Sequence, residues 1–145
     1  MTGILHQATC IAIGGRAILI EGEPGTGKSS LALALIDRGA ALVGDDGVQL
    51  QAADGLLFAA PPPHTAGLIE VRNVGLVPLP CTTAPVALLV RLETAAPRFV
   101  EQAEYTERLE IPLPTIRLWP DSPVLALRVE MALRMHGLHL SETGA

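Results

Sequence analysis

The sequence predicts a single α/β domain with a mixed sheet, in which an N-terminal β-hairpin leads into a glycine-rich loop and then a helix. Two β-branched runs flank a Gly14-Gly15 pair, and a glycine-rich stretch from Gly22 to Ser29 separates a strand pattern from a helical one. Further short apolar runs alternate with turn signals. The 145 residues, 49% of them hydrophobic, suffice for one core, so residues 1–145 are expected to form one domain.

The predicted hairpin joins residues 9–13 to residues 17–20 through Gly14-Gly15. Two glycines between β-branched runs are a strong signal for a two-residue hairpin turn. This turn pairs positions whose numbers sum to 29, so a longer hairpin would bring His6 opposite Glu23, at the mouth of the glycine-rich loop. His6 is therefore a candidate site residue.

Apolar periodicity and turn residues predict the remaining regular elements. We expect a helix at residues 29–38, a buried strand at 40–43, a hairpin of 48–51 with 56–59, and a central strand at 86–92. A last helix is expected with Ser122 as N-cap, Pro123 at its first position and Gly137 after its end.

Prolines predict irregular backbone elsewhere. Residues 61–63 are three prolines and indicate a loop. Residues 94–110 are polar, charged and punctuated by proline, which predicts a mobile surface segment. Pro112 and Pro114 indicate that residues 111–118 form a sheet edge or a loop.

Composition and charge exclude several classes of protein. The net charge of −5 and the lack of a basic run argue against a nucleic-acid partner. Arg16 interrupts the first apolar stretch, so neither a signal peptide nor a membrane span is predicted, and a cytoplasmic location is expected. Cys10 and Cys81 have no disulfide or metal-ligand pattern and are interpreted as two reduced thiols.

The glycine-rich stretch matches G-x-x-x-x-G-K-[ST] in full and lies between a predicted strand and a predicted helix. In such a P-loop the backbone N–H groups surround phosphate oxygens, the lysine bridges the β- and γ-phosphates, and the serine hydroxyl binds Mg²⁺. Lys28 is the only lysine in the chain. The expected nucleotide-binding residues are Gly22, Glu23, Pro24, Gly25, Thr26, Gly27, Lys28, Ser29 and Ser30.

Asp45 and Asp46 follow the predicted buried strand at residues 40–43. Strand ends of α/β sheets border the ligand crevice, so both carboxylates are expected near a magnesium-bound nucleotide. One carboxylate would orient or deprotonate a hydroxyl while another ligand of the site holds the metal. The alternative is an ordinary aspartate-rich turn, because Gly-Asp-Asp-Gly is also good turn chemistry.

Several segments together resemble the catalytic domain of HPr kinase/phosphorylase. The P-loop is followed by Arg38-Gly39 and Val43-Gly44-Asp45-Asp46, and Ala60-Pro61 and Gly67-Leu68-Ile69-Glu70-Val71-Arg72 resemble the family's second signature. The resemblance covers nearly the whole chain and implies a P-loop nucleotide-binding domain of the HPr kinase type. It corresponds to the C-terminal catalytic half, without the N-terminal domain of longer members, and implies a homo-oligomer, hexameric in the family.

The resemblance implies catalytic roles for individual residues. Asp46 matches the general base that accepts the proton of the acceptor serine. Arg108 matches a catalytic arginine that stabilises the transferring phosphoryl charge, and His6 matches a histidine just upstream of the P-loop. The candidate Mg²⁺ ligands are Ser29 and Glu70, which match the family's ligands, together with the strand-end carboxylate Asp45.

Two departures from the family pattern are visible. Asn73 stands where the second signature usually has glycine. The basic loop that the family uses for dephosphorylation falls at residues 118–123, where Pro120 persists but the arginines are absent. Without those cations, attack of phosphate on phosphoserine lacks charge stabilisation, so weak or no phosphorylase activity is predicted.

The sequence and the resemblance together predict an ATP- and Mg²⁺-dependent protein serine kinase. Its substrate would be HPr, the small phosphocarrier of the sugar and nitrogen phosphotransferase systems. A first alternative is another small-molecule P-loop kinase or NTPase, in which arginines such as Arg98 and Arg108 would have to bind the acceptor phosphate. A second is a nucleotide-binding regulatory module that binds ATP without transferring phosphoryl groups.

Overall fold

A computed structural model of the chain describes residues 3–140, so both ends of the predicted 1–145 domain lie outside the described residues. Three strands, a helix, eight further strands and a last helix follow one another along this range. The strands are β1 Ile4–His6, β2 Thr9–Ile13, β3 Arg16–Gly22, β4 Ala41–Gly44, β5 Val48–Ala53, β6 Leu56–Ala60, β7 Leu68–Val71, β8 Gly75–Pro78, β9 Ala84–Leu92, β10 Glu104–Arg108 and β11 Ile111–Leu118. The helices are α1 Lys28–Asp37 and α2 Leu125–His136.

One mixed sheet contains nine of the described strands, and β7 with β8 forms a separate hairpin. The sheet follows the order β1-β5-β6-β9-β3-β2-β4. Strand β9 lies at its centre: it runs parallel to β3, parallel to β11 over its last four residues, and antiparallel to β6 at its start. The predictions of a mixed sheet and of a central strand at residues 86–92 are confirmed.

The N-terminal hairpin has the predicted register. Thr9 pairs with Ile20 and Ile13 pairs with Arg16, which are positions whose numbers sum to 29. The hairpin stops at Thr9, however, because β1 leaves it and pairs with β5 at another part of the sheet. His6 therefore pairs with Val48, and the prediction that it faces Glu23 is wrong.

The sheet has an apolar core on each face. Successive side chains of a strand point to opposite faces, so Ile18 and Ile20 of β3 pack with both helices, while Leu19 packs in the second cluster with β5 and β6. All three side chains are fully buried. A strand buried on both faces reads as a continuous apolar run, as the sequence of β3 does.

Helix α1 confirms the helix predicted at residues 29–38. Its buried residues Leu31, Ala32 and Leu35 face the sheet. The helix ends before Gly39, whose φ of 111° is a conformation that favours glycine. The turn at Gly39 returns the chain to the sheet, where β4 begins at Ala41.

Within residues 3–140, no helix has both the length and the hydropathy to cross a membrane.

The C-terminal half departs from the prediction. Residues 94–110, predicted as a mobile surface segment, contain β10, and residues 111–118, predicted as an edge or a loop, form β11 between β10 and β9. Pro112 and Pro114 are tolerated because that part of β11 pairs only with β10; its pairing with β9 begins at Thr115.

The last helix begins later than predicted. Val124 is the N-cap of α2, whereas Ser122 and Pro123 were expected at the cap and the first helical position. The Ser122 Oγ instead accepts the N–H of Val124 at 3.2 Å, within a turn that precedes the helix. The predicted end is confirmed, because Gly137 is the C-cap.

Candidate active site

The P-loop connects the end of β3 to the start of α1. Gly25 and Gly27 have φ angles of 85° and 92°, which L side chains rarely adopt. The loop is closed from within, because Glu23 O accepts both the N–H and the hydroxyl of Thr26, at 3.2 and 2.8 Å. The sequence pattern therefore gives the compact strand-loop-helix geometry that a phosphate-binding loop requires.

The N-terminus of α1 carries the features of an anion site. Its N-cap is Gly27, no side chain caps it, and its first turn contains no acidic residue. The first N–H groups of a helix have no partner within the helix and carry a partial positive charge. These donors fit phosphate oxygens, as the motif predicts.

The ammonium group of Lys28 is held at the inner side of the loop. Its Nζ donates to the carbonyl oxygens of Gly22 at 3.0 Å and Glu23 at 3.3 Å. The lysine thereby joins the first two loop residues to the first residue of α1. A cation at this position adds directly to the positive field of the helix N-terminus.

Asp45 connects the P-loop helix to two other elements. Its Oδ1 accepts the Ser29 hydroxyl at 2.5 Å and the Thr9 hydroxyl at 3.3 Å, and its Oδ2 accepts the backbone N–H of Glu70 at 2.9 Å. Three segments distant in sequence, which are α1, β2 and β7, therefore meet at one carboxylate. Thr9 is nearly fully buried and had no signal in the sequence that marked it as a site residue.

Asp46 is exposed and stands in a left-handed backbone conformation with φ 59°. Aspartate tolerates this region better than most residues. Its N–H donates to the Thr9 hydroxyl at 3.2 Å, so the same threonine fixes both acidic neighbours. An exposed carboxylate on a fixed backbone can accept a proton from a bound hydroxyl group.

Most of these groups line one open cavity of about 240 Å³; Asp45 is not on its wall but accepts hydrogen bonds from Ser29 and Thr9, which are. The predicted residues on its wall include most of the P-loop, Asp46 and Glu70. Thr9 and Arg72 also lie on this wall, although the sequence assigned neither a role in the site. The lining residues are Thr9, Pro24, Gly25, Gly27, Lys28, Ser29, Ser30, Asp46, Glu70 and Arg72. Arg72 was visible only as part of the second signature.

The donor set fits a magnesium ion that is shared with a phosphate group. Within residues 3–140, no three His, Cys, Asp or Glu side chains come together as a closed metal site. Mg²⁺ is usually held by one or two carboxylates together with substrate phosphates. The Ser29 hydroxyl, Asp45 and Glu70 lie around the P-loop in this way.

His6 and Arg108 do not line the cavity but meet beside it at Glu21. The Glu21 carboxylate accepts His6 Nε2 at 2.7 Å, Arg108 Nη2 at 2.6 Å and Arg91 Nη2 at 3.1 Å. Burial raises the pKa of Glu21, but hydrogen bonds from Arg108, His6 and Arg91 outweigh it and lower the pKa to about 2. Glu21 and Arg91 were not predicted, although a charged residue at the end of an apolar strand was a signal for Glu21.

The segment that follows β11 borders the P-loop from outside. Residues 120–123 share a cleft with Gly25, Thr26 and Gly27. This segment carries Asp121 and contains no arginine. Trp119 just before it is anchored, because its Nε1 donates to Ala96 O at 2.7 Å.

Comparisons with known proteins relate the chain to one family. Residues 2–82 match the model of the HPr serine kinase C-terminal domain. An HPr kinase/phosphorylase from Clostridium botulinum is 45% identical over 67 residues, which are 46% of this chain and 22% of the relative. One from Clostridium kluyveri is 51% identical over 63 residues, which are 43% of this chain and 20% of the relative. The matched part thus spans about a fifth of these curated relatives.

A solved structure extends the likeness to nearly the whole fold. The Hpr(Ser) kinase/phosphatase from Coxiella burnetii superposes with a TM-score of 0.79 at 28% sequence identity. The match covers 90% of this chain and 88% of the Coxiella chain. Strands β9 to β11 and α2 lie beyond the residues matched by the family model, so the structural match is what relates most of that half to the same architecture.

Proposed function

Because the chain belongs to the HPr serine kinase C-terminal domain family, we propose that it is an ATP- and Mg²⁺-dependent protein serine kinase acting on HPr. The observation that carries the proposal is the juxtaposition of a P-loop with an exposed carboxylate on one cavity. Lys28 and the uncapped N-terminus of α1 lie on one side, and Asp46 lies on another. Such a cavity can hold a triphosphate and receive an acceptor hydroxyl.

In the proposed reaction Asp46 is the general base. Its carboxylate accepts the proton of the acceptor serine hydroxyl as the serine oxygen bonds to the γ-phosphorus and the bond from that phosphorus to the β–γ bridging oxygen breaks. The products are phosphoserine, ADP and a protonated Asp46. The hydrogen bond from the Asp46 N–H to the Thr9 hydroxyl fixes the backbone of this base at the cavity wall.

Lys28 and the first turn of α1 bind the phosphate oxygens and stabilise the charge that develops on them. Ser29, Asp45 and Glu70 are the residues proposed to hold Mg²⁺. Bound Mg²⁺ supplies further neutralisation of the triphosphate charge. Arg72 is exposed and lies on the cavity wall, so its guanidinium is proposed to contact the anionic acceptor or donor.

The test of the proposal is transfer of radiolabel from γ-labelled ATP to purified HPr. The parent protein is compared with Asp46→Asn and with Asp37→Asn, a matched change at an exposed carboxylate of α1. We expect Asp46→Asn to lose about 10²–10⁴-fold in transfer rate, which is the usual contribution of general-base catalysis, while ATP affinity is retained. Asp37→Asn should transfer at the parent rate.

Three results would contradict the proposal in different ways. Transfer by Asp46→Asn at the parent rate would remove the base assignment. Tight ATP binding with no label reaching HPr in the parent protein would indicate a regulatory module. Release of labelled phosphate at the same rate with and without HPr would indicate an NTPase.

We also propose weak or absent phosphorylase activity. The support is the segment at residues 120–123, which borders the P-loop and carries Asp121 in place of cations. An anionic side chain there repels an incoming phosphate rather than stabilising it. When phosphorylated HPr is mixed with excess inorganic phosphate, pyrophosphate should form far more slowly than transfer from ATP proceeds. Pyrophosphate formation at the forward rate would refute this part.

We further propose a homo-oligomer, with the hexamer of the family as the expected state. Leu127, Met131 and Met135 of α2 are exposed by 38%, 53% and 74% and recur at four-residue spacing, which presents an apolar stripe on one side of the helix. Sedimentation velocity of the parent protein and of Met131→Glu tests this. A parent protein that sediments as a monomer at micromolar concentration would contradict it.

A further inference from the structure

The carboxylate of Glu21 accepts hydrogen bonds at four positions. Its Oε1 accepts Arg108 Nη2 at 2.6 Å and Arg91 Nη2 at 3.1 Å. Its Oε2 accepts His6 Nε2 at 2.7 Å and Arg108 Nε at 3.1 Å. A carboxylate offers about four lone-pair sites, so all of them are occupied, and Arg108 is bound through both arms of its guanidinium fork.

These contacts bring distant parts of the chain to the start of the P-loop. His6 ends β1, Arg91 is in β9, and Arg108 ends β10, whereas Glu21 immediately precedes Gly22. The Gly22 carbonyl in turn accepts the ammonium of Lys28 at 3.0 Å. Only 12% of the Glu21 side chain is exposed, which strengthens its charged hydrogen bonds relative to those at an open surface.

Strand β10 needs such an anchor. Among the strands of residues 3–140 it pairs with β11 alone, and three of its five side chains are exposed. The turn that follows it holds Leu109 and Glu110 at φ angles of 51° and 66°, a conformation that costs free energy in residues other than glycine. Arg108 stands directly before this turn. The fork on Glu21, together with the bond from Arg108 Nη1 to Glu107 O at 2.9 Å, fixes the guanidinium in one orientation.

The charges of the cluster do not cancel. One carboxylate faces two guanidinium groups and an imidazole, so a net positive charge is left next to the P-loop even with the imidazole neutral. The negative charge of Glu21 lets Arg91 and Arg108 lie close together. Without it, the two guanidinium groups would repel each other. The surplus positive charge favours a triphosphate in the neighbouring loop.

We propose that Glu21 is a positioning residue, which holds Arg108 and His6 beside the P-loop for phosphoryl transfer. This inference rests on the proposed kinase function and on the phosphoryl-stabilising role that the family resemblance implies for Arg108. Glu21 itself does not touch the reacting atoms; it acts through the residues that it binds. A purely structural ion cluster would instead affect stability without a specific effect on turnover.

A double-mutant cycle separates the two roles. Transfer of label from ATP to HPr is measured for the parent protein, Glu21→Gln, Arg108→Gln and the double variant. Glu21→Gln should lower kcat about 100-fold, because misplacing a group by about 1 Å costs that much, and should leave KM for ATP within about threefold. In the Arg108→Gln background, Glu21→Gln should lower kcat by less than about fivefold, because the guanidinium that Glu21 positions has already been removed.

Glu104→Gln is the matched control. Glu104 also pairs with an arginine, Arg117, across the same β10–β11 ladder, but far more of its side chain is exposed, 57%. Its removal should leave kcat at the parent value. Should Glu21→Gln fail to fold, Glu21→Asp keeps the charge while shortening the reach by one methylene; this variant should retain folding and still lose kcat.

The outcomes distinguish the inference from the function on which it rests. A parent protein that transfers no label to HPr overturns the proposed function and, with it, the positioning role. A parent protein that transfers label, with Glu21→Gln and Glu21→Asp near its kcat, overturns the positioning role alone. Equal losses from Glu21→Gln in both backgrounds would also overturn it, because the effect would not pass through Arg108.

Discussion

The hydroxyl of Ser29 donates to the Oδ1 of Asp45 over 2.5 Å, which links the first turn of α1 to the end of β4. The same carboxylate also accepts the N–H of Glu70 from the β7–β8 hairpin. Two elements that carry candidate magnesium ligands are thus held by one side chain. The stability of the site and its ligand geometry therefore depend on the same residue.

Replacement of Asp45 by alanine should lower the free energy of unfolding by about 1–3 kcal/mol, because the Ser29 and Thr9 hydroxyls and one backbone N–H lose their acceptor. Urea denaturation measures the change. Asp37→Ala is the control: Asp37 is an exposed carboxylate in α1, and its loss should change stability by less than about 0.5 kcal/mol. Equal stabilities of the two variants would argue against the role of Asp45.

Glu21 should make the stability of the protein sensitive to acid. The folded-state pKa is about 2, below the ordinary value of 4.5, so the contribution is present at neutral pH and is lost as the pH falls from about 5 towards 2. The difference in unfolding free energy between the parent and Glu21→Gln, about 1–3 kcal/mol at neutral pH once partial screening by solvent is allowed for, should shrink over this window. Denaturation at a series of pH values tests it; a constant difference would contradict it.

Gly44 and Gly47 flank the two aspartates and should respond differently to alanine. A Cβ on Gly44 would collide with the carbonyl oxygen of Gly47 and come within 3.1 Å of Pro62 Cδ, whereas a Cβ on Gly47 would meet nothing closer than 3.9 Å. Gly44→Ala should therefore cost at least about 2 kcal/mol and displace the Asp45-Asp46 turn, while Gly47→Ala should be tolerated. Thermal unfolding of both variants checks this. A Tm for Gly44→Ala equal to that of Gly47→Ala would show that the turn adapts.

The two cysteines should differ in reactivity. Burial raises the pKa of the Cys10 thiol, and this side chain is inaccessible, whereas Cys81 is exposed. Because the thiolate is the reactive form, a chromogenic disulfide reagent should modify one thiol per chain in native buffer and two in denaturant. Cys81→Ser should abolish the native reaction. Two rapid equivalents in native buffer would contradict the buried position of Cys10.

Local sequence signals explain why some hairpins were predicted and another was missed. Gly14-Gly15 and Asp54-Gly55 are turn pairs with a known preference for positive φ, and both hairpins lie where they were expected. The β10–β11 turn uses Leu109-Glu110 at positive φ, which no turn preference predicts. We attribute the conformation of this turn to tertiary contacts of the flanking strands, including the two hydrogen bonds from Arg108 to Glu21.

The candidate site also contains residues that local sequence predicts and residues that only the tertiary structure brings together. The P-loop could be predicted because its motif residues are adjacent in sequence, and Asp46 because it follows a buried strand whose end borders the ligand crevice. Thr9, Glu21 and Arg91 could not, because they reach the site through strand pairing over long sequence separations. For His6 the neighbourhood was nearly right but the pairing was wrong: the side chain contacts Glu21 from β1, not from the hairpin.

Trp119 is the single tryptophan of the chain. Its Nε1 donates a hydrogen bond to Ala96 O, and the Arg128 guanidinium lies over its ring, 5.9 Å from the ring centre. All indole fluorescence therefore originates one residue before the segment that borders the P-loop. Rearrangement of that segment when ATP is added would alter the indole surroundings and shift the emission. The chain thus contains an intrinsic optical reporter for stopped-flow studies that need no attached dye.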